Sequence, residues 1–188
     1  MRITGGKARG ILLESLEANL RPSTDALRQA VFSSLGPLVE EARVLDLFAG
    51  TGTYGLEALS RGAKYANFVE KNCKLQPILH TNALKVAKSA GLDTSAYKIE
   101  IRDALNGNVK TESFDMIFID PPYTLFTSQA LEGFFHTISA YLAPIPQSRL
   151  VIEHPGEIQA LSVPTLQLIK RLGKDKRKQP AASIYGFL

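Results

Sequence analysis

Three features of this 188-residue chain predict a doubly wound α/β fold. From residue 42 onward, strand-like and helix-like segments alternate, the order that places parallel strands between two layers of helices. Several of the strand-like segments are nearly continuous apolar runs, as strands covered on both faces are. The first of them leads into Gly50-Thr51-Gly52-Thr53-Tyr54-Gly55, a full G-x-G-x-x-G. That spacing gives a tight strand-to-helix turn in which backbone can approach a ligand closely.

Taken in order, residues 1–16 read as two short strands around a turn punctuated by Gly5, Gly6 and Gly10. Pro22 then breaks the chain, Ser23 or Thr24 can N-cap a helix, and Asp25 suits its first turn. Leu27, Ala30, Val31, Ser34 and Leu35 recur at helical spacing, and Gly36-Pro37 stops the helix. Strands follow at 43–48, 67–70, 97–101, 114–120 and 149–154, with helices at about 53–61, 72–90 and 127–142. Pro77 lies within the second of those helices, which is expected to begin close to it or to kink there. Two later strands, 166–172 and 182–188, complete seven. Residues 1–40 therefore form a small N-terminal extension of hairpin and helix, and residues 41–188 the α/β domain.

Composition excludes several classes. Hydrophobic residues at 45% and charged residues at 21% are globular proportions. No apolar run reaches the roughly 18 residues of a membrane span, and the first residues lack the apolar stretch of a secretory signal. A single cysteine, Cys73, excludes an internal disulfide framework and any multi-cysteine metal site. His80, His136 and His154 show no metal-ligand spacing, so no metal is expected and all three read as structural. A cytoplasmic protein is the expectation, and nothing suggests more than a monomer.

Charge is unevenly placed. Residues 170–178 hold six Lys/Arg against one Asp, and residues 2–9 hold Arg2, Lys7 and Arg9 with no acid. The net charge of the whole chain is only +4, so the body between these runs is acidic. Two cation clusters on one small protein favour a polyanionic partner, because each neutralised phosphate releases counterions.

In an open α/β sheet the ligand sits outside the carboxyl ends of the strands. Asp46, Glu70, Asp103 and Asp120 all fall there. Glu70 suits a ribose diol, whichever adenosine cofactor carries it. Asp46 discriminates, because a carboxylate near the glycine loop repels a pyrophosphate and favours a cationic ligand such as S-adenosylmethionine. Asp103 is then placed for the adenine amino group. After the fourth strand comes Asp120-Pro121-Pro122-Tyr123. Two prolines remove two N–H donors, which leaves the Asp120 carboxylate and the Pro121 carbonyl as acceptors. An exocyclic amino group needs two acceptors, and the Tyr123 ring offers a surface on which a base can stack. The residues thus point to methylation of a nucleobase amine, and do not separate guanine from adenine or cytosine.

These stretches closely resemble the bacterial RsmD-type methyltransferases, which methylate the N2 amine of one guanine in 16S ribosomal RNA. The resemblance rests on "MRITGGKARG", "LRPSTDALRQAVFSSLG", "ARVLDLFAGTGTYGLEALSRGA", "FVEKN", "DMIFIDPPY" and "VIEH", and covers nearly the whole chain. It implies a Rossmann-like, seven-stranded methyltransferase sheet and S-adenosylmethionine as cofactor. It implies cofactor contacts at Asp46, Gly50, Gly52, Glu70 and Asp103, with Phe48, Lys71 and Ala104 beside them. Target-amine binding falls to Asp120, Pro121, Pro122 and Tyr123. RNA contacts fall to Arg2, Lys7, Arg9, Arg21, Thr24 and Arg28, and the substrate is 16S ribosomal RNA, in the assembled small subunit. One departure is visible: family members commonly carry a Tyr-Gly pair before the last strand, where this chain has "KRKQPAASIYGFL".

Overall fold

The structure is a computed structural model that describes residues 1–16, 22–106, 113–127, 129–159, 161–177 and 179–187. The side chains of residues 22–24, 127, 129, 130 and 132 are not described. In chain order the helices are α1 (Pro22–Leu35), α2 (Thr53–Ser60), α3 (Gln76–Ala90) and α4 (Gln129–Ile138). The strands are β1 (Arg43–Leu47), β2 (Tyr65–Glu70), β3 (Tyr97–Ile101), β4 (Met116–Ile119), β5 (Arg149–Pro155), β6 (Gln167–Gly173) and β7 (Pro180–Gly186).

The seven strands form one sheet in the order β3-β2-β1-β4-β5-β7-β6. The first five strands run parallel, and β7 enters antiparallel between β5 and β6. The chain leaves β1 toward β2 on one side and returns to β4 on the other. That reversal, between β1 and β4, is the switch point at which such sheets bind ligands.

Alternate strand residues bury on opposite faces. Val44, Phe68, Met116, Phe118 and Val151 join a core with α1, α2 and α3. Leu45, Leu47, Ile117, Ile119 and Ile152 join a second core with α4. Each such side chain contributes about 1.5–3 kcal/mol by leaving water, which is why apolar residues dominate both faces of these strands. Ile3, Ala8 and Leu13 of the N-terminal extension, and Val31, Phe32 and Leu35 of α1, belong to the first core.

Element boundaries depart from expectation where local chemistry overrides periodicity. The N-terminal arms lie antiparallel, joined by the bridge of Arg2 with Leu12 and by backbone bonds from Ile3 N to the Ile11 carbonyl, Gly10 N to the Ile3 carbonyl and Leu13 N to the Met1 carbonyl, but they do not extend into two full strands. Side chains of α2 hold this segment as well: Glu57 accepts from Thr4 N and Thr4 Oγ1 at 2.8 and 2.7 Å, and Ser60 Oγ from Ala8 N at 2.9 Å. The helix α1 starts at Pro22 itself, so Ser23 and Thr24 lie inside it and not at its cap. Helix α3 begins at Gln76, next to Pro77, as the proline required. Helix α4 is shorter than expected, because 123–127 and 139–141 are tight 3-10 turns. Strand β1 ends at Leu47 because Phe48 has a φ of +59°.

Candidate active site

The loop after β1 is built by its glycines and two carboxyls. Gly52 has a φ of +89°, and a Cβ there would lie 2.5 Å from Leu79 Cδ1. A Cβ on Gly55 would lie 2.4 Å from the Phe68 ring, so this glycine lets α2 sit directly on β2. The Gly55 N–H donates to Asp46 Oδ2 at 2.8 Å, and the Gly50 N–H donates to Glu70 Oε2 at 2.8 Å. The other Glu70 oxygen accepts from Asn72 N at 2.7 Å. One carboxylate at the end of β2 therefore fixes both the glycine loop and the turn that follows β2.

Outside the carboxyl ends of β1, β2 and β4 lies a cavity of about 700 Å³. Its acidic lining is Glu70, Asp103 and Asp120. Phe48, Gly50, Lys71 and Ala104 line it too, as do Pro121, Pro122 and Tyr123. Most of the site residues expected, from four strand ends, thus face one space. Asp103 Oδ1 accepts from Leu105 N at 3.0 Å, and Lys71 Nζ stands 3.4 Å from the other Asp103 oxygen at the exposed mouth. A second cavity of about 330 Å³ adjoins the first and shares Phe48, Gly50 and Asp120 with it. Its outer wall is Met1, Ser15 and Leu16 of the N-terminal extension.

Behind Asp120 sits a buried polar group that sequence reasoning did not single out. The register of β4 with β5 sets Phe118 beside Val151 and Ile119 beside Ile152. Continued by one residue, it sets Asp120 level with Glu153. Glu153 is only 6% exposed and accepts from the Tyr54 hydroxyl at 2.7 Å. Burial, then the Glu153 and Asp46 carboxyls, push Asp120 well above the usual carboxylate range, while Arg28 opposes them. Burial also raises Glu153, against the Tyr54 hydrogen bond and Arg28. An acid inside an otherwise apolar central strand was the available signal.

Two of the expected site residues are buried. Asp46 is 2% exposed and is not among the described residues lining either cavity. Burial raises its pKa to about 8, with the Gly55 N–H opposing and Glu70 adding to the rise. Its carboxyl anchors the glycine loop from beneath, and the anionic lining comes from Glu70, Asp103 and Asp120. Arg28 is 2% exposed, with its guanidinium on Asp25, Glu57 and the Arg2 carbonyl, so it is closed to RNA. It is the electrostatic partner of a buried glutamate, Glu57. Gly52 shapes the loop without lining the cavity among the described residues. Arg2, Lys7 and Arg9 are exposed. Arg21 lies outside the described residues, as does the Thr24 side chain. His154 is fully buried: the Pro155 carbonyl can only accept from Nδ1 at 2.9 Å, so Nε2 accepts from Ser183 Oγ at 2.8 Å. Burial lowers its pKa, consistent with a neutral structural imidazole.

Fold and site together define a class, the S-adenosylmethionine-dependent methyltransferases. The sheet order, the glycine loop and the strand-end carboxylates are those of its Rossmann-like fold. A family model described as "Conserved hypothetical protein 95" matches residues 1–179. The chain belongs to that family, which is the family of RsmD-type methyltransferases. It is 33% identical over 163 residues to "Putative rRNA methyltransferase YlbH" of Bacillus subtilis (strain 168), covering 85% of each chain. It is 34% identical over 126 residues to "Ribosomal RNA small subunit methyltransferase D" of Escherichia coli (strain K12), covering 65% of this chain and 60% of that one. Among solved structures, "Putative methyltransferase yhhF from Escherichia coli" superposes with a TM-score of 0.77 at 26% identity, covering 100% of this chain and 97% of that one.

The cofactor of the class is S-adenosylmethionine, and the residues present fit it. Three acids line a cavity that would have to hold two phosphates of a dinucleotide, whereas a sulfonium and an ammonium are favoured there. Glu70 and Asp103 keep lone pairs for hydroxyl and amino donors. Val69, Ala104 and Leu105 give the same end of the cavity apolar walls for a purine. No group of three or more metal-ligating side chains occurs among the described residues.

Proposed function

We propose that this protein transfers a methyl group to the exocyclic N2 amine of a guanine in 16S ribosomal RNA, within the small ribosomal subunit. The observation that carries the reading is that Asp120, Pro121 and Tyr123 line the same cavity as Glu70 and Asp103. Acceptors for an amine and acceptors for an adenosine cofactor therefore share one space. The rRNA methyltransferase names of the relatives support an RNA substrate.

S-adenosylmethionine supplies an electrophilic methyl group. The chain's own residues do the rest. Glu70 and Asp103 hold the ribose and adenine ends, with Phe48, Gly50, Lys71 and Ala104 around them. Tyr123 stacks on the target base. Asp120 and the Pro121 carbonyl each accept one N–H of the amine, whose lone pair is otherwise delocalised into the ring. Those bonds return electron density to nitrogen. As positive charge develops on that nitrogen, the Asp120 carboxylate stabilises it. Pro122 keeps the turn rigid and removes a competing donor. In-line placement about 3–3.5 Å from the methyl donor supplies much of the remaining acceleration. The base is read unstacked, as single-stranded or splayed nucleotides in RNA are. Arg2, Lys7 and Arg9, on the extension of residues 1–40, contact the RNA backbone. The protein acts as a cytoplasmic monomer.

Asp120→Ala tests the assignment. It should keep S-adenosylhomocysteine binding in calorimetry and lose transfer by at least about 10²–10³-fold. Full activity in that variant would remove Asp120 from the chemistry.

A further inference from the structure

We propose that the turn between β6 and β7, which carries Lys174, Lys176 and Arg177, holds the phosphodiester backbone of the RNA beside the nucleotide being methylated. The inference rests on the reading of RNA as substrate and assigns a surface to it.

The first support is position. Gly173 pairs with Ala181 across β6 and β7, and Ala181 pairs with His154 across β7 and β5. The register Ile119 with Ile152, continued by two residues, sets His154 level with Pro121. The end of β6 is therefore level with the Asp-Pro-Pro-Tyr turn, on the carboxyl edge of the sheet. Three strand steps separate them, about 14 Å at roughly 4.8 Å per step. Rings line the first of those steps, from β4 to β5: Tyr123 to Phe126, and Phe126 to His154, each 6.4 Å between centroids.

The second support is a fixed backbone. Gly156, just past β5, donates to the Gln179 carbonyl at 2.7 Å. A Cβ on Gly156 would lie 2.3 Å from the Lys174 carbonyl and 2.7 Å from that of Lys176. Arg171 donates to the Gly156 carbonyl at 2.6 Å and pairs with Asp175. The one acid of the turn is thus neutralised from within. Lys174, Lys176 and Arg177 are exposed and make no ion pair among the described residues. A solvated basic tail would not be pinned in this way.

The third support is need. Glu70, Asp103 and Asp120 make the edge around the cavity anionic, so a polyanion drawn to it requires cations close by. Lys71 at the cavity mouth is paired with Asp103, and Lys7 stands away from it. The Lys7 N–H donates to the Ser60 carbonyl, at the far end of α2 from the glycine loop. Eight residues of helix place it about 12 Å away along that axis.

The test compares wild type with Lys174→Ala/Lys176→Ala/Arg177→Ala, using a 16S rRNA fragment as the probe, over a range of salt. The expected result is an affinity lower by roughly tenfold or more at low salt, and a log–log salt slope shallower by about 2 for three lost single-strand contacts. S-adenosylhomocysteine affinity and Tm stay at wild-type values. Lys174→Arg/Lys176→Arg keeps wild-type binding, and so does the control Lys64→Ala/Lys88→Ala. If wild type binds and methylates the RNA while the triple variant keeps its affinity and slope, the inference is overturned and the substrate reading stands. If wild type neither binds nor methylates rRNA, the substrate reading falls and takes the inference with it.

Discussion

The Tyr54 hydroxyl donates to Glu153 Oε2 at 2.7 Å, with both side chains buried on the face of the sheet that also carries Asp46. The pair joins the first helix after the glycine loop to the strand beside the Asp-Pro-Pro-Tyr turn. It also sets a like charge next to Asp120, whose pKa is raised by burial first and by Glu153 second. Glu153→Gln keeps an acceptor for Tyr54 and removes that charge. Asp120 must be ionised to accept from the amine, so the acid limb of the kcat profile should move to lower pH. A purely structural role for Glu153 would change Tm and leave the profile in place.

Asp46 predicts a pH dependence of stability. Its pKa is about 8 in the folded protein against an ordinary carboxyl value of 3.8. The folded state therefore binds a proton that the unfolded state has released between those values. The stability from this group is complete below the unfolded pKa and is lost as pH rises toward 8. Asp46→Asn keeps an acceptor for the Gly55 N–H and cannot ionise. Thermal melts of the cofactor-free protein from pH 5 to 9 should show a smaller decline in Tm for the variant than for wild type. Parallel declines would contradict the assignment.

Gly55→Ala should be destabilising although alanine is the better helix former. Its Cβ would meet the Phe68 ring at 2.4 and 2.9 Å and Asp46 Oδ2 at 3.1 Å. Overpacking of this kind costs about 1–3 kcal/mol, a fall in Tm of roughly 2–4 °C per kcal/mol at this chain length. An unchanged Tm in Gly55→Ala would mean that α2 does not rest on β2 as described.

Glu70→Gln tests the cofactor contact. The variant loses the charge and keeps an acceptor for only one of the Gly50 and Asn72 N–H groups, so Tm is recorded beside affinity. Hydrogen bonds to charged groups contribute about 1.5–3 kcal/mol, so S-adenosylhomocysteine should bind on the order of tenfold to a hundredfold more weakly by calorimetry. Wild-type affinity would exclude Glu70 from the cofactor site.

Much of this was legible in the sequence. The alternation of strands and helices, and apolar residues on both faces of each central strand, required a parallel sheet with two cores. Strand-end positions alone place Asp46, Glu70, Asp103 and Asp120 at one edge. What was not legible depends on contacts far apart in sequence. The resemblance gives Arg28 an RNA contact, whereas its burial comes from Glu57, 29 residues away. The bond of Asp46 to Gly55, and its depth under the loop, follow from how α2 lies on β2. The N-terminal arms stop short of full strands, and alternation cannot show that α2 side chains take part of their hydrogen bonding. Glu153 carried a signal, an acid in an apolar strand, but its partner Tyr54 is 99 residues distant.

The central claim is methyl transfer to a guanine amine of 16S rRNA. The most direct measurement incubates the protein with small ribosomal subunits lacking the modification and S-adenosylmethionine carrying a trideuterated methyl group, then digests the 16S rRNA for nucleoside mass spectrometry. The account predicts the heavy methyl in N2-methylguanosine, with none when Asp120→Ala replaces wild type. Label in N6-methyladenosine or N4-methylcytidine, or no label in the RNA at all, would contradict it.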